Sequence, residues 1–381
     1  MSDDRNVIAH LVDERTVLVC CGSGGVGKTT TAAALALAAA ERGRRACVVT
    51  IDPARRLADA LGEVGVADEP HRVEGPWPGE LYAVMLDAKG TFDRLVRQNA
   101  RDAEQAERIL SNRLYRNLVG ALSGTQEYMA TEKLFELHEE ADFDLVVVDT
   151  PPTHNALDFL DAPRRLTGFL DNRLFRLLLT PGKAYLRALS VATQLLLRTI
   201  ARVAGSEIVD DTVAFFQAFE GMESGFRERA ARVERLLAEQ ATAFVLVSAP
   251  RRDSIEEATF LAAKLASSHH DLDALVVNRV QPYFGEPIAR VDELGEARRG
   301  ARGGEAGRAW DELVANLAEL DALARRESDL VDELTTKVAP APVVRVPALT
   351  VDVHDLDGLH LVVRHLLGGE LPLPRADGGD R

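Results

Sequence analysis

Cysteine is scarce: Cys20, Cys21 and Cys47 are the only three in 381 residues. None falls in a C-x-x-C pair and no histidine pair completes a metal set, so neither a disulfide framework nor a zinc site is expected. Buried thiols of a reduced, cytoplasmic protein are the expectation. Positive charge is also in short supply, with 45 Lys and Arg against 60 Asp and Glu and a net charge of −15. That balance argues against a nucleic-acid groove and against general affinity for anionic membranes, although it leaves room for a local basic patch. No uncharged apolar run reaches the ~18 residues needed to span a bilayer. The stretch from Met1 to Glu14 is charged and lacks the apolar heart of a signal peptide. No internal repeat is found. Apolar residues at 46% are enough for a sizeable core, either as two average domains or as one large α/β unit.

The chain is organised around the stretch from Thr16 to Thr30, where a strand-type apolar run enters a glycine-rich turn and an alanine-rich helix former leaves it. Gly22-Ser23-Gly24-Gly25-Val26-Gly27-Lys28-Thr29 satisfies G-x-x-x-x-G-K-[ST], the loop that wraps nucleotide phosphates. Glycines let the backbone curl so that successive N–H groups face anionic oxygens. The following helix adds the positive end of its dipole. Lys28 is expected at the β- and γ-phosphates, and the Thr29 hydroxyl on Mg²⁺. The bland alternative is a strand-to-helix turn without a ligand, but strand, helix and GKT tripeptide are all in register.

Further along, short apolar runs alternate with long helical patterns, which predicts βαβ units and a mostly parallel twisted sheet covered by helices. About seven strands are expected: Thr16–Cys21, Ala46–Ile51, Leu81–Leu86, Phe143–Val148, Phe244–Val247, Leu275–Val277 and Val343–Val346. In open α/β sheets the C-terminal strand tips face the ligand. Asp52, followed by Pro53, sits at the second tip, where a carboxylate can orient an attacking water or serve only as a helix or turn cap. Asp149 ends the fourth strand ahead of Thr150-Pro151-Pro152, the position of an aspartate that joins a Mg²⁺ shell. Asn278, at the sixth tip, can offer an adenine edge its paired donor and acceptor, or can be a turn residue. From 91 to 140 the pattern is helical, with a break at Ser123-Gly124-Thr125-Gln126. The stretch from 166 to 238 is unusually rich in Leu and Phe, including Phe215, Phe219, Met222 and Phe226. It predicts a helical lobe, with either an apolar groove for a partner or a closed core or dimer surface. Gly295 to Gly304 reads as a solvated loop. Residues 309–334 read as an acidic amphipathic helix or pair, and residues 366–381 as a disordered tail.

Taken in order, the loop, TIDPARRLADALG and VVVDTPPTHNALDFL resemble the ArsA-type ATPases, a group within the deviant-Walker class of phosphate-loop proteins. The likeness covers roughly residues 16 to 365 and is far more specific than the loop alone. It implies a single phosphate-loop NTPase domain over 1–365 with a helical subdomain. It also implies an Mg²⁺-dependent ATPase that closes and opens as a dimer around ATP. By position, Gly22 to Thr30 resemble the family's phosphate loop and Asp52 its water-activating aspartate. Asp149 resembles the aspartate reaching Mg²⁺ through water. Asn278 and the stretch Val346–Leu349, including Pro347, resemble its adenine positions. The family's helical subdomain also strengthens the expectation of a protein or membrane-segment client at the Leu- and Phe-rich lobe.

Four features depart from the family pattern. Ser23 stands where a lysine normally crosses to the partner's phosphate, and serine supplies no such charge. Slow hydrolysis, a lysine from a paralogous partner, or a substitute such as Arg55 or Arg56 would each accommodate it. His154-Asn155 replaces the usual Gly-His. There is no C-x-x-C to clamp a dimer through zinc. No cysteine lies outside the nucleotide core, so a three-thiolate arsenite site is unsupported. The leading expectation is therefore an ATPase that resets a homodimer or heterodimer handling a protein client. A small-molecule kinase or ligase, and a weakly hydrolysing ATP-bound scaffold, are the alternatives.

Overall fold

The computed structural model describes residues 4–51, 56–62, 67–113, 115, 125–151, 158–171, 214–215, 217–282 and 305–368. Helix α1 (Asp4–Glu14) leads into β1 (Val17–Gly22), α2 (Lys28–Glu41) and β2 (Arg45–Thr50). A short α3 (Arg56–Leu61), β3 (His71–Val73) and β4 (Glu80–Met85) follow. Next come α4 (Ala88–Asn99), α5 (Ala103–Leu110) and α6 (Thr125–Phe135), the last continued by a π-helical turn at Glu136–Glu140. The chain then forms β5 (Leu145–Asp149), α7 (Asp158–Leu170), α8 (Glu223–Ala238), β6 (Thr242–Ser248) and α9 (Arg252–Ser267). It closes with β7 (Ala274–Val280), α10 (Glu305–Val338), β8 (Val343–Pro347) and α11 (Leu356–Leu366). None of the described helices is long and apolar enough to cross a membrane.

The strands form one sheet in the order β3-β4-β2-β5-β1-β6-β7-β8. Every pair is parallel except β3 against β4. The seven expected strands are all present. The eighth, β3, is a three-residue antiparallel edge, too short for its alternation to register as a pattern. Strand β1 lies between β5 and β6 while the chain runs outward on both sides of it, so its C-terminal tip is at the topological switch point. The sheet is covered on both faces, which is why its strands read as continuous apolar runs. Leu18, Cys20, Val48 and Val147 pack into one core with α1, α2 and α11. Val17, Val19, Cys21, Val49 and Val148 alternate into the opposite core with α6, α7, α8, α9 and α10. Helix α2 is buried along almost its whole length, and alanine from 32 to 40, interrupted only by Leu35 and Leu37, lets it approach the sheet closely. It ends at Gly43, whose φ of 87° suits the left-handed residue that closes a helix.

A third core lies away from the sheet. Leu95, Val96, Ile109, Tyr115, Met129, Phe219, Met222 and Phe226 close on one another there, together with Phe215. The aromatic rings meet at centroid distances of 5.3 Å for Phe215–Phe219 and Phe219–Phe226. Phe215, Phe219, Met222 and Phe226 are thus core side chains rather than the wall of an open groove. The long helical stretch expected from 91 is broken at residues 100–102, where Asp102 caps α5 by accepting from the Gln105 N–H. The stretch expected as a helix or pair over 309–334 is one helix, α10. The Leu-rich part of the lobe (172–213), the solvated loop at 295–304 and the tail from 369 lie outside the described residues.

Candidate phosphate and metal site

Register brings three strand ends to one place. Cys20 of β1 pairs with Asp149 of β5, and Thr50 of β2 pairs with the same Asp149. Gly22 leaves β1 at φ 152°, and a Cβ there would lie 2.1 Å from the Val247 carbonyl oxygen, so only glycine lets the loop turn against β6. Gly25 and Gly27 have φ of 77° and 96°. A side chain at Gly25 would meet open space, whereas a Cβ at Gly27 would stand 2.2 Å from Asn278 Nδ2. Gly24 and Gly25 are exposed, Val26 is buried, and Ser23 is 5% exposed with its Oγ unbonded among the described residues.

Helix α2 starts directly from Gly27, which offers no side-chain cap, and its first turn carries no acidic residue. The leading N–H groups of a helix have no intrahelical acceptor, so the positive end of α2 opens onto the glycine turn. Lys28 is 7% exposed, and its Nζ donates to the Ser23 carbonyl at 2.8 Å, folding the ammonium back over the loop. Thr29 Oγ1 donates to Asp149 Oδ2 at 2.7 Å, and Thr50 Oγ1 donates to the same oxygen at 2.8 Å. Asp149 and Thr50 are each 1% exposed. The neighbouring Thr150 hydroxyl donates to the Cys20 carbonyl at 2.8 Å and fastens the β5 tip to β1. A glycine cradle, a buried ammonium, and a hydroxyl–carboxylate pair of hard oxygens form a donor set suited to a polyphosphate with Mg²⁺.

On the far side of the loop, Asn278 Nδ2 donates to the Val26 carbonyl at 3.0 Å and its Oδ1 accepts from the Arg279 N–H at 2.9 Å. Asn278 thereby supports the loop and still has one N–H and one lone pair for a ligand. Arg279, at φ 61°, also donates from Nη1 to the Gly25 carbonyl at 3.4 Å. Pro347 ends β8 opposite Val280, so it flanks the β7 tip that carries Asn278. Sequence reasoning missed Thr50 and Arg279. A threonine closing a strand two residues before an Asp-Pro step is the available signal for Thr50, whereas nothing local marks Arg279. Asp52, Arg55 and His154-Asn155 lie outside the described residues, as does the side chain of Arg56. The three thiols are fully buried in strands β1 and β2, which pushes Cys20 and Cys47 up and raises Cys21 to about 12.

Residues 15–290 match the family model of the anion-transporting ATPases. Over 295 residues the chain is 32% identical to an uncharacterised protein of Streptomyces coelicolor, covering 75% of this chain and 70% of that one. It is 28% identical to the ATPase ASNA1 homolog of Babesia bovis, over 72% of this chain and 70% of the relative. It is 25% identical to ATPase ARSA2 of Chlamydomonas reinhardtii, over 98% and 91% of the two chains.

Proposed function

We propose, from the premise that this chain belongs to the anion-transporting ATPase family and is an ATP hydrolase, that it is an Mg²⁺-dependent, nucleotide-switched dimer acting in the cytoplasm on a protein partner or client. The observation that carries the reading is the double hydrogen bond from Thr29 and Thr50 to one oxygen of Asp149, beside the glycine cradle. The loop amides from Gly22 to Thr30 and the Lys28 ammonium hold the phosphates of ATP. The Thr29 hydroxyl and the Asp149 carboxylate would hold Mg²⁺, which when bound would supply neutralising charge to the phosphate oxygens. Asp52 orients the attacking water, and Asn278 and Pro347 border the base.

The Lys28 ammonium offsets the negative charge that builds on the departing ADP as the bond to the γ-phosphoryl group breaks, an electrostatic contribution of the kind that dominates phosphoryl transfer. The test is ATP turnover by the purified full chain without added metabolite. Wild type should release ADP and phosphate in an Mg²⁺-dependent way. Lys28→Ala should abolish or severely reduce the rate, and Asp52→Asn should slow it while ATP still binds. Turnover that appears only when a small-molecule acceptor is supplied would replace this reading with a kinase or ligase.

Ser23 favours one variation on the theme. It is buried, and its carbonyl is already engaged by Lys28, so this position presents no cation to a facing protomer. Slow turnover alone and faster turnover with a paralogous lysine-bearing subunit would identify a heterodimer. Tight ATP binding with no turnover in either condition would identify a scaffold.

A further inference from the structure

Strand β7 does not end in regular pairing. Val277 pairs with Arg345 of β8 and Val280 pairs with Pro347, so three steps along β7 oppose two along β8. A bulge of this kind bends a strand and re-aims a side chain. Arg279 lies inside it at φ 61°, a left-handed conformation that strains any residue bearing a side chain. Its N–H donates to Asn278 Oδ1 at 2.9 Å, and Asn278 Nδ2 donates to the Val26 carbonyl at 3.0 Å. One amide therefore sets the phosphate loop and the turned backbone of β7 against each other. Beyond the bulge, the Ala348 N–H donates to the Val280 carbonyl at 2.9 Å and the pairing resumes.

The turn brings the guanidinium onto the loop. Arg279 Nη1 donates to the Gly25 carbonyl at 3.4 Å, across 254 positions of sequence. Both residues are exposed, and a Cβ at Gly25 would meet nothing within 4 Å, so the contact lies on the open rim of the cradle. A hydrogen bond so long and so exposed is weak, and it does not by itself explain a strained backbone. A guanidinium has several N–H donors, and the Gly25 carbonyl engages one of its nitrogens. Lys28 also donates to a loop carbonyl, that of Ser23, but from a buried position. An anion lying in the loop would thus have a buried ammonium on one side and a forked, permanently charged group at its rim. Paired guanidinium donors match phosphate oxygens in geometry as well as charge. Because the contact is made on the glycine turn itself, the group within reach is the phosphate chain rather than the base.

We infer that Arg279 is a nucleotide-binding residue: the bulge in β7 carries its guanidinium to the rim of the loop, where it engages the phosphate chain of the bound nucleotide. The inference rests on the reading of the loop as a phosphate site. ATP and inorganic tripolyphosphate separate phosphate contacts from base contacts. Each is titrated with Mg²⁺ into the full chain by calorimetry, and thermal melting of the ligand-free protein is recorded alongside. Arg279→Met keeps an aliphatic stem and removes the charge. It should weaken both probes about tenfold, the low end for a hydrogen bond to a charged group, with melting unchanged. Arg279→Lys restores the charge without the fork and should recover part of that loss for both probes. Wild-type affinities in Arg279→Met, a loss confined to ATP, or no recovery in Arg279→Lys overturns the inference and leaves the phosphate site standing. A loss of binding that comes with lowered melting marks Arg279 as a brace for the loop and also overturns it, as does a wild type that binds ATP but not tripolyphosphate. A wild type that binds neither probe overturns the phosphate-site reading together with the inference.

Discussion

Adding one methyl group at Gly27 separates backbone strain from side-chain crowding at the phosphate loop. Gly27 stands before α2 at φ 96°, ψ 26°. An alanine held in that left-handed conformation costs about 1–2 kcal/mol. Its Cβ would also stand 2.2 Å from Asn278 Nδ2, so the amide must withdraw and lose its bond to the Val26 carbonyl. A hydrogen bond of this kind contributes about 0.5–1.5 kcal/mol. Gly27→Ala should therefore lower stability by about 1.5–3.5 kcal/mol. Asn278→Ala should lower it by the bond alone, about 0.5–1.5 kcal/mol. In the double variant the bond is already absent and the crowding is gone, so only strain is added to it. The double variant should be no less stable than Gly27→Ala, and the coupling energy should equal the value of the bond, about 0.5–1.5 kcal/mol. Urea unfolding followed by circular dichroism measures all four corners of the cycle. Strict additivity would mean that the two residues do not meet, and a neutral Gly27→Ala would refute the left-handed turn itself.

Thr50→Val removes a hydroxyl donor on Asp149 Oδ2, a bond to a charged acceptor worth about 1.5–3 kcal/mol. ATP affinity by calorimetry should fall severalfold with Mg²⁺ present and stay unchanged in chelator; equal losses in both would contradict the metal assignment. Burial pushes the Glu132 carboxyl above its ordinary value, while Tyr128 and Arg229 pull it back. Arg229→Met leaves that carboxylate without its cation and should cost about 3–5 kcal/mol at pH 7. The folded state then binds the proton more tightly than the unfolded chain, so stability falls as pH rises through this window. The deficit should therefore shrink from pH 7 downward and lose its ionisation part below about 4.3, the unfolded glutamate value. Denaturant titrations at pH 7 and pH 5 check it, and a deficit independent of pH refutes it. Finally, the three buried thiols, all shifted upward, should resist a thiol reagent at pH 8 in the folded protein and react fully in denaturant.

The parts of the fold written in short-range pattern are legible in the amino-acid sequence itself. The phosphate loop is contiguous, and its glycines, lysine and threonine have to be neighbours to work. The buried parallel strands announce themselves as apolar runs because both faces of the sheet are covered. What stays hidden arises from register and tertiary contact. Thr50 matters because β2 pairs with β5 so that residue 50 faces residue 149, and no local window contains both. Asp102 splits a helical stretch in two by capping α5, yet an aspartate between helical segments reads equally well as a surface residue. The Phe-rich stretch illustrates the limit most clearly. Its apolar density is the same for a groove and for a closed core, and only the rings of Phe92, Phe219 and Phe226 meeting one another place these described side chains in a core.

The pairing pattern also gives a physical route by which the proposed nucleotide site would be coupled to the lobe. Oδ2 of Asp149 accepts from Thr29 on one neighbouring segment and from Thr50 on the other. Occupation of the loop by a ligand that draws on the Thr29 hydroxyl must therefore alter the balance at the β2 tip, one residue from Ile51. Ile51 hands its N–H to β5 and its carbonyl to α6. Helix α6 is in turn rooted in both the sheet core and the lobe core, with Arg229 tying it to α8. Close-packed interiors transmit such displacements because their side chains have no slack to absorb them. A ligand can move this system only by the difference in its contacts between two arrangements, and on the proposed reading Thr29 and Asp149 are where that difference would be made. On the proposed reading the lobe would respond to ATP without touching it, through four hydrogen bonds and a helix shared by both cores.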